Sequence, residues 1–308
     1  MNNTESEYRS SQIVVIDSDQ AGQRIDNYLF NHFKGIPKTR IYKMLRKGEV
    51  RVNKGRIKPT YRIQPGDQIR LPPVKMTPRG QTVSASLDRV KRLESRIVYE
   101  SDRLLVINKP SGMAVHGGSG DSFGVIEGLR SLRPDAPYLE LVHRLDKHTS
   151  GCLMIAKRRS TLRHLHELLR NHTIRKIYHC WVVGNWPADL KTVEEPLKTV
   201  RFANGDRRAI VDADGKPSKT AFRILESRNN YTMLEAKPYS GRMHQIRVHC
   251  QSQHHPICGD QKYGFNEQQS DTFKRLYLHA HELRFSERPD GEIIRVHCDS
   301  ETFARFPD

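Results

Sequence analysis

Apolar side chains recur at helical spacing near the N-terminus of the chain. Ile25, Leu29 and Phe33 follow one another at steps of four, which predicts a helix with one buried face. A second helix is predicted to begin near Pro37, a residue that suits a first turn, and to end at Gly48 in a left-handed conformation. The buried face of this second helix is predicted to contain Ile41, Met44 and Leu45.

The residues after the second helix have the alternation of a small β-hairpin. Residues 49–52 alternate polar and apolar side chains, residues 53–55 supply a turn, and residues 56–58 are predicted to return as the second strand. A further turn at 65–67 leads to a predicted strand at 68–71. Shifts in composition then divide the chain into a disordered tail at 1–12, a small domain at 13–75, a Pro- and Ser-containing linker at 76–92, and a larger domain at 93–308.

In the larger domain, short apolar runs alternate with polar loops and occasional helices. Strand-like runs lie at 97–99, 104–107 and 176–183, and leucines at helical spacing predict a helix at about 160–170. Two-residue periodicity in the 176–183 run places Ile177, His179 and Trp181 on one face of the strand and Tyr178 on the other. Because no strand–helix–strand rhythm repeats, the pattern predicts an α+β fold with a mixed, largely antiparallel sheet.

One polar loop separates two of these apolar runs. Residues 143–151 have the sequence His-Arg-Leu-Asp-Lys-His-Thr-Ser-Gly, a dense group of ionisable and hydroxyl side chains. Side chains of this kind, on a loop held by a rigid scaffold, are commonly binding or catalytic groups. Asp146 is therefore the candidate for chemistry. The alternative is an Asx turn or a cap, and taken by itself the loop favours that structural role.

The charge of the chain adds a second indication of function. The net charge is +17, from 52 basic and 35 acidic residues, which is typical of a nucleic-acid-binding protein. Basic side chains concentrate on the predicted second helix and the hairpin beside it. The common interpretation of such a run is a solvated face, but charges of one sign on adjoining elements favour contacts with phosphates. The predicted RNA-binding residues are Lys38, Arg40, Lys43, Arg46, Lys47, Arg51, Lys54 and Arg56.

Cysteine and histidine positions argue against several other classes of site. The five cysteines form no Cys-x-x-Cys pair, so neither a disulfide framework nor a thiolate zinc site is expected, and a reducing cytoplasm is predicted. The pairs His143 with His148 and His244 with His249 are five apart and do not match a helical metal site. Asp260 is the candidate second carboxylate for a glycoside hydrolase, but its glycine-flanked position predicts a turn. No apolar run is long enough to span a membrane.

Two resemblances to known families draw these observations together. Residues 46–53, Arg-Lys-Gly-Glu-Val-Arg-Val-Asn, follow the predicted helices and resemble an S4 RNA-binding domain. The loop at 143–151 resembles the signature of the RluA/RluC superfamily of RNA pseudouridine synthases. Four further motifs match that superfamily in order, at 108–112, 176–178, 241–247 and 255–260. With its S4-like region, the chain most resembles the RluC type, which isomerises uridines in 23S ribosomal RNA.

The resemblance implies roles for four residues. Asp146 is implied to be the catalytic aspartate, and Tyr178 to stack on the target base. Arg247 is implied to form an ion pair with Asp146, and Arg144 to help flip the uridine or fill the space it leaves. The expected partner is 23S ribosomal RNA or a large-subunit assembly intermediate, and a monomer that needs no cofactor and no metal is expected.

Two questions stay open at the level of sequence. Asp146 could attack the ribose C1′ or remove a ribose proton to give a glycal, and the sequence does not separate these routes. A second hypothesis is a ribosome-assembly factor that binds ribosomal RNA without chemistry, and a third is a glycosidase that releases free uracil.

Overall fold

The computed structural model describes residues 7–33, 36–76, 84, 87–118, 123–203, 205–264, 273–300, 303 and 306. The chain forms two compact units, Met1–Thr82 and Val83–Asp308. Within the described residues, no helix is long and apolar enough to cross a membrane.

The N-terminal unit packs two helices against small antiparallel sheets. As predicted, Ile25, Leu29 and Phe33 form one buried face, and Gly48 ends the second helix with φ 69°. Burial of this apolar stripe stabilises the helices, because short isolated helices are marginal in water. The elements of this unit are β1 (Glu7–Arg9), β2 (Gln12–Val15), α1 (Ile25–His32), α2 (Lys38–Lys47), β3 (Arg51–Val52), β4 (Gln68–Leu71) and β5 (Val74–Met76).

The prediction that residues 56–58 form the second strand of a hairpin is wrong. β3 pairs with β4, with Val52 opposite Ile69, and residues 56–58 form no strand. The reason is burial: Ile69 and Leu71 both reach the core of the unit, whereas the one apolar side chain in 56–58, Ile57, lies half-buried between exposed cations. The segment with two inward apolar side chains therefore takes the place beside β3.

The predicted tail and linker also contain regular structure. Residues 7–9, expected to be disordered, form β1, which pairs antiparallel with β5. The segment predicted as a linker includes most of helix α3 (Asp88–Glu94), whose Val90 and Leu93 are buried. Two apolar positions three apart are a weak helical signal in a polar stretch, so the sequence pattern missed them. Residues 1–6, 77–83 and 85–86 lie outside the described residues.

The C-terminal unit is built on one large mixed sheet, which confirms the predicted α+β class. Within the part of the chain that the structure describes, ten strands form this sheet, and their pairs are antiparallel except for β9 with β16. The strands of this unit are β6 (Ile97–Glu100), β7 (Leu104–Lys109), β8 (Glu140–Leu141), β9 (Ser150–Ala156), β10 (Arg175–Val183), β11 (Thr192–Glu194), β12 (Leu197–Arg201), β13 (Arg207–Val211), β14 (Lys219–Arg228), β15 (Tyr231–Pro238), β16 (Leu278–Phe285) and β17 (Ile294–His297). The remaining helices are α4 (Val125–Leu132), α5 (Arg159–Arg170) and α6 (Gln245–Ser252).

The path through the main sheet is β11-β14-β15-β10-β16-β9-β7-β6, with β17 on β16 and β8 on β9, while β12 and β13 form a separate hairpin. The strand order brings the polar loop at 143–149 to the middle of the sheet. All residues of β9 are buried, and the loop ends where this strand begins.

Gly151 permits the parallel contact with β16. Its φ is 107°, and a Cβ at this position would lie 2.2 Å from the carbonyl oxygen of Ala280. An L-residue with a side chain is strained in that conformation.

We predict that Gly151→Ala lowers the free energy of unfolding by about 3 kcal/mol, because backbone strain and a clash with β16 add together. Urea unfolding measures the change. Gly118→Ala is the control, since a Cβ there meets no atom of the described residues within 4 Å. Equal stability of the two variants would contradict the close approach of β9 and β16.

Candidate active site

A buried lysine holds the backbone of the loop that carries Asp146. Lys109, at the end of β7, is fully buried, and its Nζ donates to the carbonyl oxygens of Pro110, Met113 and Lys147 at 2.7–2.9 Å. Burial lowers the pKa of Lys109 to about 7, and the nearby Asp146 charge opposes that shift. The backbone N–H of Gly112 also donates to the Lys147 carbonyl at 2.9 Å. These bonds connect residues 109–113 to the loop that carries Asp146.

The carboxylate of Asp146 faces two side chains from the α6 region. Arg247 Nη1 lies 3.3 Å from Asp146 Oδ2, and His244 Nε2 lies 3.6 Å from the same oxygen. Within the described part of the chain, Oδ1 makes neither a hydrogen bond nor an ion pair, and the side chain accepts no local backbone N–H. The Asx-turn alternative is therefore not the arrangement observed. The Asp146 side chain is half-buried and lines both adjoining cavities.

Arg247 has a stronger partner than the resemblance implied. Its Nε and Nη2 donate to the two carboxylate oxygens of Asp260 at 2.8 and 2.7 Å, and the Asp260 side chain is fully buried. Burial by itself would lower the pKa of Arg247, but the hydrogen bonds and charge of Asp260 outweigh it and raise the pKa above its usual value. Asp260 thus orients the guanidinium, whose remaining Nη1 faces Asp146.

The interpretation of Asp260 as a turn residue was incomplete. Its Oδ1 does accept the backbone N–H groups of Lys262 and Tyr263, at 3.0 and 3.1 Å, as a turn aspartate does. The same carboxylate also forms the bidentate pair with Arg247. A glycine-flanked aspartate carries no local signal for a partner 13 residues away, so the sequence pattern could not reveal this pairing.

Tyr178 and Asp146 line one cavity of about 480 Å³, which we call the tyrosine cavity; Arg144 and Arg247 also line it. Burial, with the charge of Asp146 adding to it, raises the pKa of Tyr178 above its usual value, so the phenol is neutral at physiological pH. The four predicted catalytic residues therefore come together around one space.

A second cavity of about 820 Å³, the basic cavity, adjoins Asp146 on another side. Arg144 is exposed and lines both cavities, and among the described residues it pairs with no carboxylate. The size and charge of this cavity suit a polyanion. Its other lysine and arginine side chains are Lys147, Arg208, Arg247, Lys262, Lys274 and Arg275.

In the N-terminal unit, most of the predicted RNA-binding cations lie at the surface. Arg40 is paired with Glu49 at 3.0 Å, and Arg51 Nε donates to the Gly48 carbonyl at 3.2 Å. These two are half-buried and partly committed to the fold. The six exposed cations are Lys38, Lys43, Arg46, Lys47, Lys54 and Arg56.

Two residues that contact the loop carrying Asp146 have no local signal in the sequence. Lys109 appears there only within the motif at 108–112, and a lysine followed by proline gives no sign of burial. His244 lies in the motif at 241–247 and does not fit a helical metal site, and no neighbouring residue indicates its contact with Asp146. The described residues contain no cluster of three His, Cys, Asp or Glu side chains that could hold a metal ion.

Comparison with known proteins identifies the family. The family model described as RNA pseudouridylate synthase matches residues 103–252, and the S4 domain model matches residues 23–69. The chain is 51% identical over 292 residues to the ribosomal large subunit pseudouridine synthase C of Pasteurella multocida, covering 93% of this chain and 90% of the relative. It is 50% identical to the Escherichia coli K12 protein of the same name, covering 94% and 93%. The chain belongs to the RNA pseudouridine synthase family.

Solved structures agree with this assignment. Human RNA pseudouridylate synthase domain containing 4 aligns with a TM-score of 0.56 and 27% identity, covering 70% of this chain and 93% of that one. The resemblances found in the sequence, to an S4 domain and to the pseudouridine synthases, are both confirmed. This pseudouridine synthase is thus an RNA-modifying isomerase with an N-terminal S4 domain.

We predict that Asp260→Asn lowers the free energy of unfolding of this synthase by about 3 kcal/mol, because it leaves the buried Arg247 charge without its main partner. Glu194→Gln is the control: it breaks an exposed ion pair with Lys219 and should cost less than about 1 kcal/mol. Urea unfolding of both variants tests the difference. A loss for Asp260→Asn as small as that of the control would show that Asp260 does not stabilise Arg247.

Proposed function

We propose that this enzyme converts specific uridines of 23S ribosomal RNA to pseudouridine, with Asp146 acting on a uridine flipped out of the RNA. The substrate assignment is supported by the relatives at 50–51% identity, which are named ribosomal large subunit pseudouridine synthase C. The observation that carries the chemistry is the Asp146 carboxylate, oriented at Oδ2 by Arg247 and open at Oδ1.

The isomerisation needs one oriented carboxylate and no external reactant. Asp146 Oδ1 attacks the ribose C1′, or takes a ribose proton to give a glycal, and either route breaks the bond between C1′ and uracil N1. The uracil turns in the site and rejoins C1′ through C5. This step breaks the bond between Asp146 and C1′ in the first route, and in the second route Asp146 returns the proton to the ribose. The C5 proton is then lost and N1 regains one, so the product has the same atoms as the substrate. The positive charge of Arg247 favours the ionised form of Asp146 when the bound base excludes water.

The tyrosine cavity accepts the target base. Its volume of about 480 Å³ is in the range of small-molecule sites, and Tyr178 supplies an aromatic ring on which uracil can stack. Flipping a nucleotide costs a few kcal/mol, and stacking offsets part of that cost. Arg144, exposed between the two cavities, is placed to occupy the space that the uridine leaves or to contact its phosphate.

The exposed cations of the S4 domain supply binding strength that does not depend on sequence. Lys43, Arg46 and Lys47 lie on α2, where phosphate contacts would position the RNA. The domain limits 13–75 and 93–308, the monomeric state and the cytoplasmic location stay predictions.

We predict that Asp146→Asn lowers the single-turnover rate of pseudouridine formation on a 23S fragment by at least about a thousandfold, since the neutral amide is a poor nucleophile and base. RNA affinity should change by less than about threefold, because a single mid-cavity charge contributes little to phosphate contacts. Asp102→Asn, at an exposed carboxylate, is the control. Turnover by Asp146→Asn close to that of the control would show that Asp146 takes no part in the reaction. Wild-type protein that binds the RNA but forms no pseudouridine would favour the assembly-factor hypothesis.

We predict that replacing Lys43, Arg46 and Lys47 together by glutamine weakens RNA binding and lowers the slope of log Kd against log salt by about 2, at roughly 0.7 for each phosphate that the variant no longer neutralises. Binding titrations at several salt concentrations measure both quantities. The matched control removes three charges that are already ion-paired, at Arg158, Arg223 and Arg228. An equal change in slope for both triple variants would mean that α2 makes no dedicated phosphate contacts.

A further inference from the structure

His244 lies between the catalytic carboxylate and a tyrosine outside the implied catalytic set. It directly precedes α6 and has φ 53°, a left-handed conformation that costs a non-glycine residue about 1 kcal/mol. Strain of this kind is often retained where a side chain must take one position for function. The side chain is 12% exposed, so solvent does not hold the ring in place.

The hydrogen bonds around Tyr263 favour the tautomer of His244 that carries its hydrogen on Nε2. The Tyr263 hydroxyl oxygen accepts the N–H of Ala209 at 2.8 Å and lies 2.7 Å from His244 Nδ1. No other acceptor contacts this hydroxyl among the described residues, so its own proton goes to Nδ1. A neutral imidazole that accepts at Nδ1 carries its hydrogen on Nε2.

The protonation states of Tyr263 and His244 agree with a hydrogen bond donated by the Tyr263 hydroxyl to His244 Nδ1. Burial raises the pKa of Tyr263 to about 12, so the phenol keeps its proton at neutral pH. Burial lowers the pKa of His244 to about 4; Arg247 and Lys262 lower it further, and Asp146 opposes them. The ring is therefore neutral in the physiological range, and its single N–H faces Asp146.

We propose that His244 is a positioning residue that donates its Nε2 hydrogen to Asp146 Oδ2, so that Oδ2 is held by His244 and Arg247 together while Oδ1 stays free to react. Both donors lie on the same side of the carboxylate, at 3.6 and 3.3 Å. This inference rests on the proposed role of Asp146.

At 3.6 Å the His244 contact is longer than a hydrogen bond. We expect it to shorten when RNA fills the tyrosine cavity, as catalytic contacts commonly do on substrate binding. His244 lines that cavity itself, so the bound base would lie close to the contact.

The first test compares His244→Gln with His244→Leu. Glutamine keeps an N–H donor at a similar reach, whereas leucine has a similar size and no donor, and both accept the same backbone strain. With saturating RNA, we expect the single-turnover rate to fall by about thirtyfold for leucine and about threefold for glutamine, with RNA affinity unchanged. Equal rates for the two variants, with equal thermal unfolding, would overturn the proposal, since packing alone would then explain His244.

The second test leaves His244 in place and removes the Tyr263 hydroxyl that contacts its Nδ1. Tyr263→Phe keeps the ring that packs against Arg247 but deletes the hydroxyl. In NMR spectra of protein labelled with ¹⁵N-histidine, the His244 signals are those that disappear in His244→Gln. In the wild-type protein these signals should show a protonated Nε2 and an unprotonated Nδ1. Tyr263→Phe should mix the two tautomers and slow the single-turnover step about fivefold. A wild-type ring protonated on Nδ1, or a Tyr263→Phe enzyme with unchanged tautomer and rate, would overturn the proposal.

Asp146→Asn, assayed beside these variants, distinguishes a failure of the His244 proposal from a failure of the proposed function. If Asp146→Asn is inactive while the glutamine and leucine variants behave alike, the role of His244 is wrong and the proposed function stands. If Asp146→Asn remains active, the proposed function fails and the inference on His244 fails with it.

Discussion

The charge of Arg247 is shared between two carboxylates, and the arrangement of the active site depends on this sharing. Removing a guanidinium from water costs several kcal/mol unless its donors are satisfied. Asp260 satisfies two of them from a fully buried position, and it is itself held by two backbone N–H groups. The remaining nitrogen is thereby aimed at Asp146, whose position is set in turn by the buried Lys109.

This arrangement explains how an exposed polar loop becomes a defined site. The loop follows no local pattern of caps or Asx turns through its aspartate. Instead, Lys109 at the end of β7 bonds to the backbone of the loop, and Arg247 of α6 contacts one carboxylate oxygen. Asp146 lines the tyrosine cavity, which suits a flat base, and the basic cavity, which suits phosphates. The chemistry proposed for Asp146 follows from this division between one held and one open oxygen.

The sequence predicted those parts of the structure whose signals are local or belong to a family motif. Period-two alternation placed Tyr178 correctly in β10, and helical spacing located α1, α2 and α5. The family motifs indicated Asp146, Tyr178, Arg247 and Arg144, which the fold brings to one cavity.

The features that the sequence did not predict depend on contacts between residues far apart in the chain. The return strand of the hairpin was decided by which segment buries more apolar surface, and the pairing of Arg247 with Asp260 by a tertiary contact. The place of His244 depends on a left-handed backbone at a helix start and on Tyr263, and neither has a signal in the residues around it.

The most direct measurement is pseudouridine mapping of 23S ribosomal RNA from cells that lack this chain, and from the same cells supplied with the wild-type protein or with Asp146→Asn. The account predicts that particular pseudouridines revert to uridine in the deletion, return with the wild-type protein and stay absent with Asp146→Asn. Persistence of every 23S pseudouridine in the deletion strain would contradict the proposed substrate, and their return with Asp146→Asn would contradict the proposed chemistry.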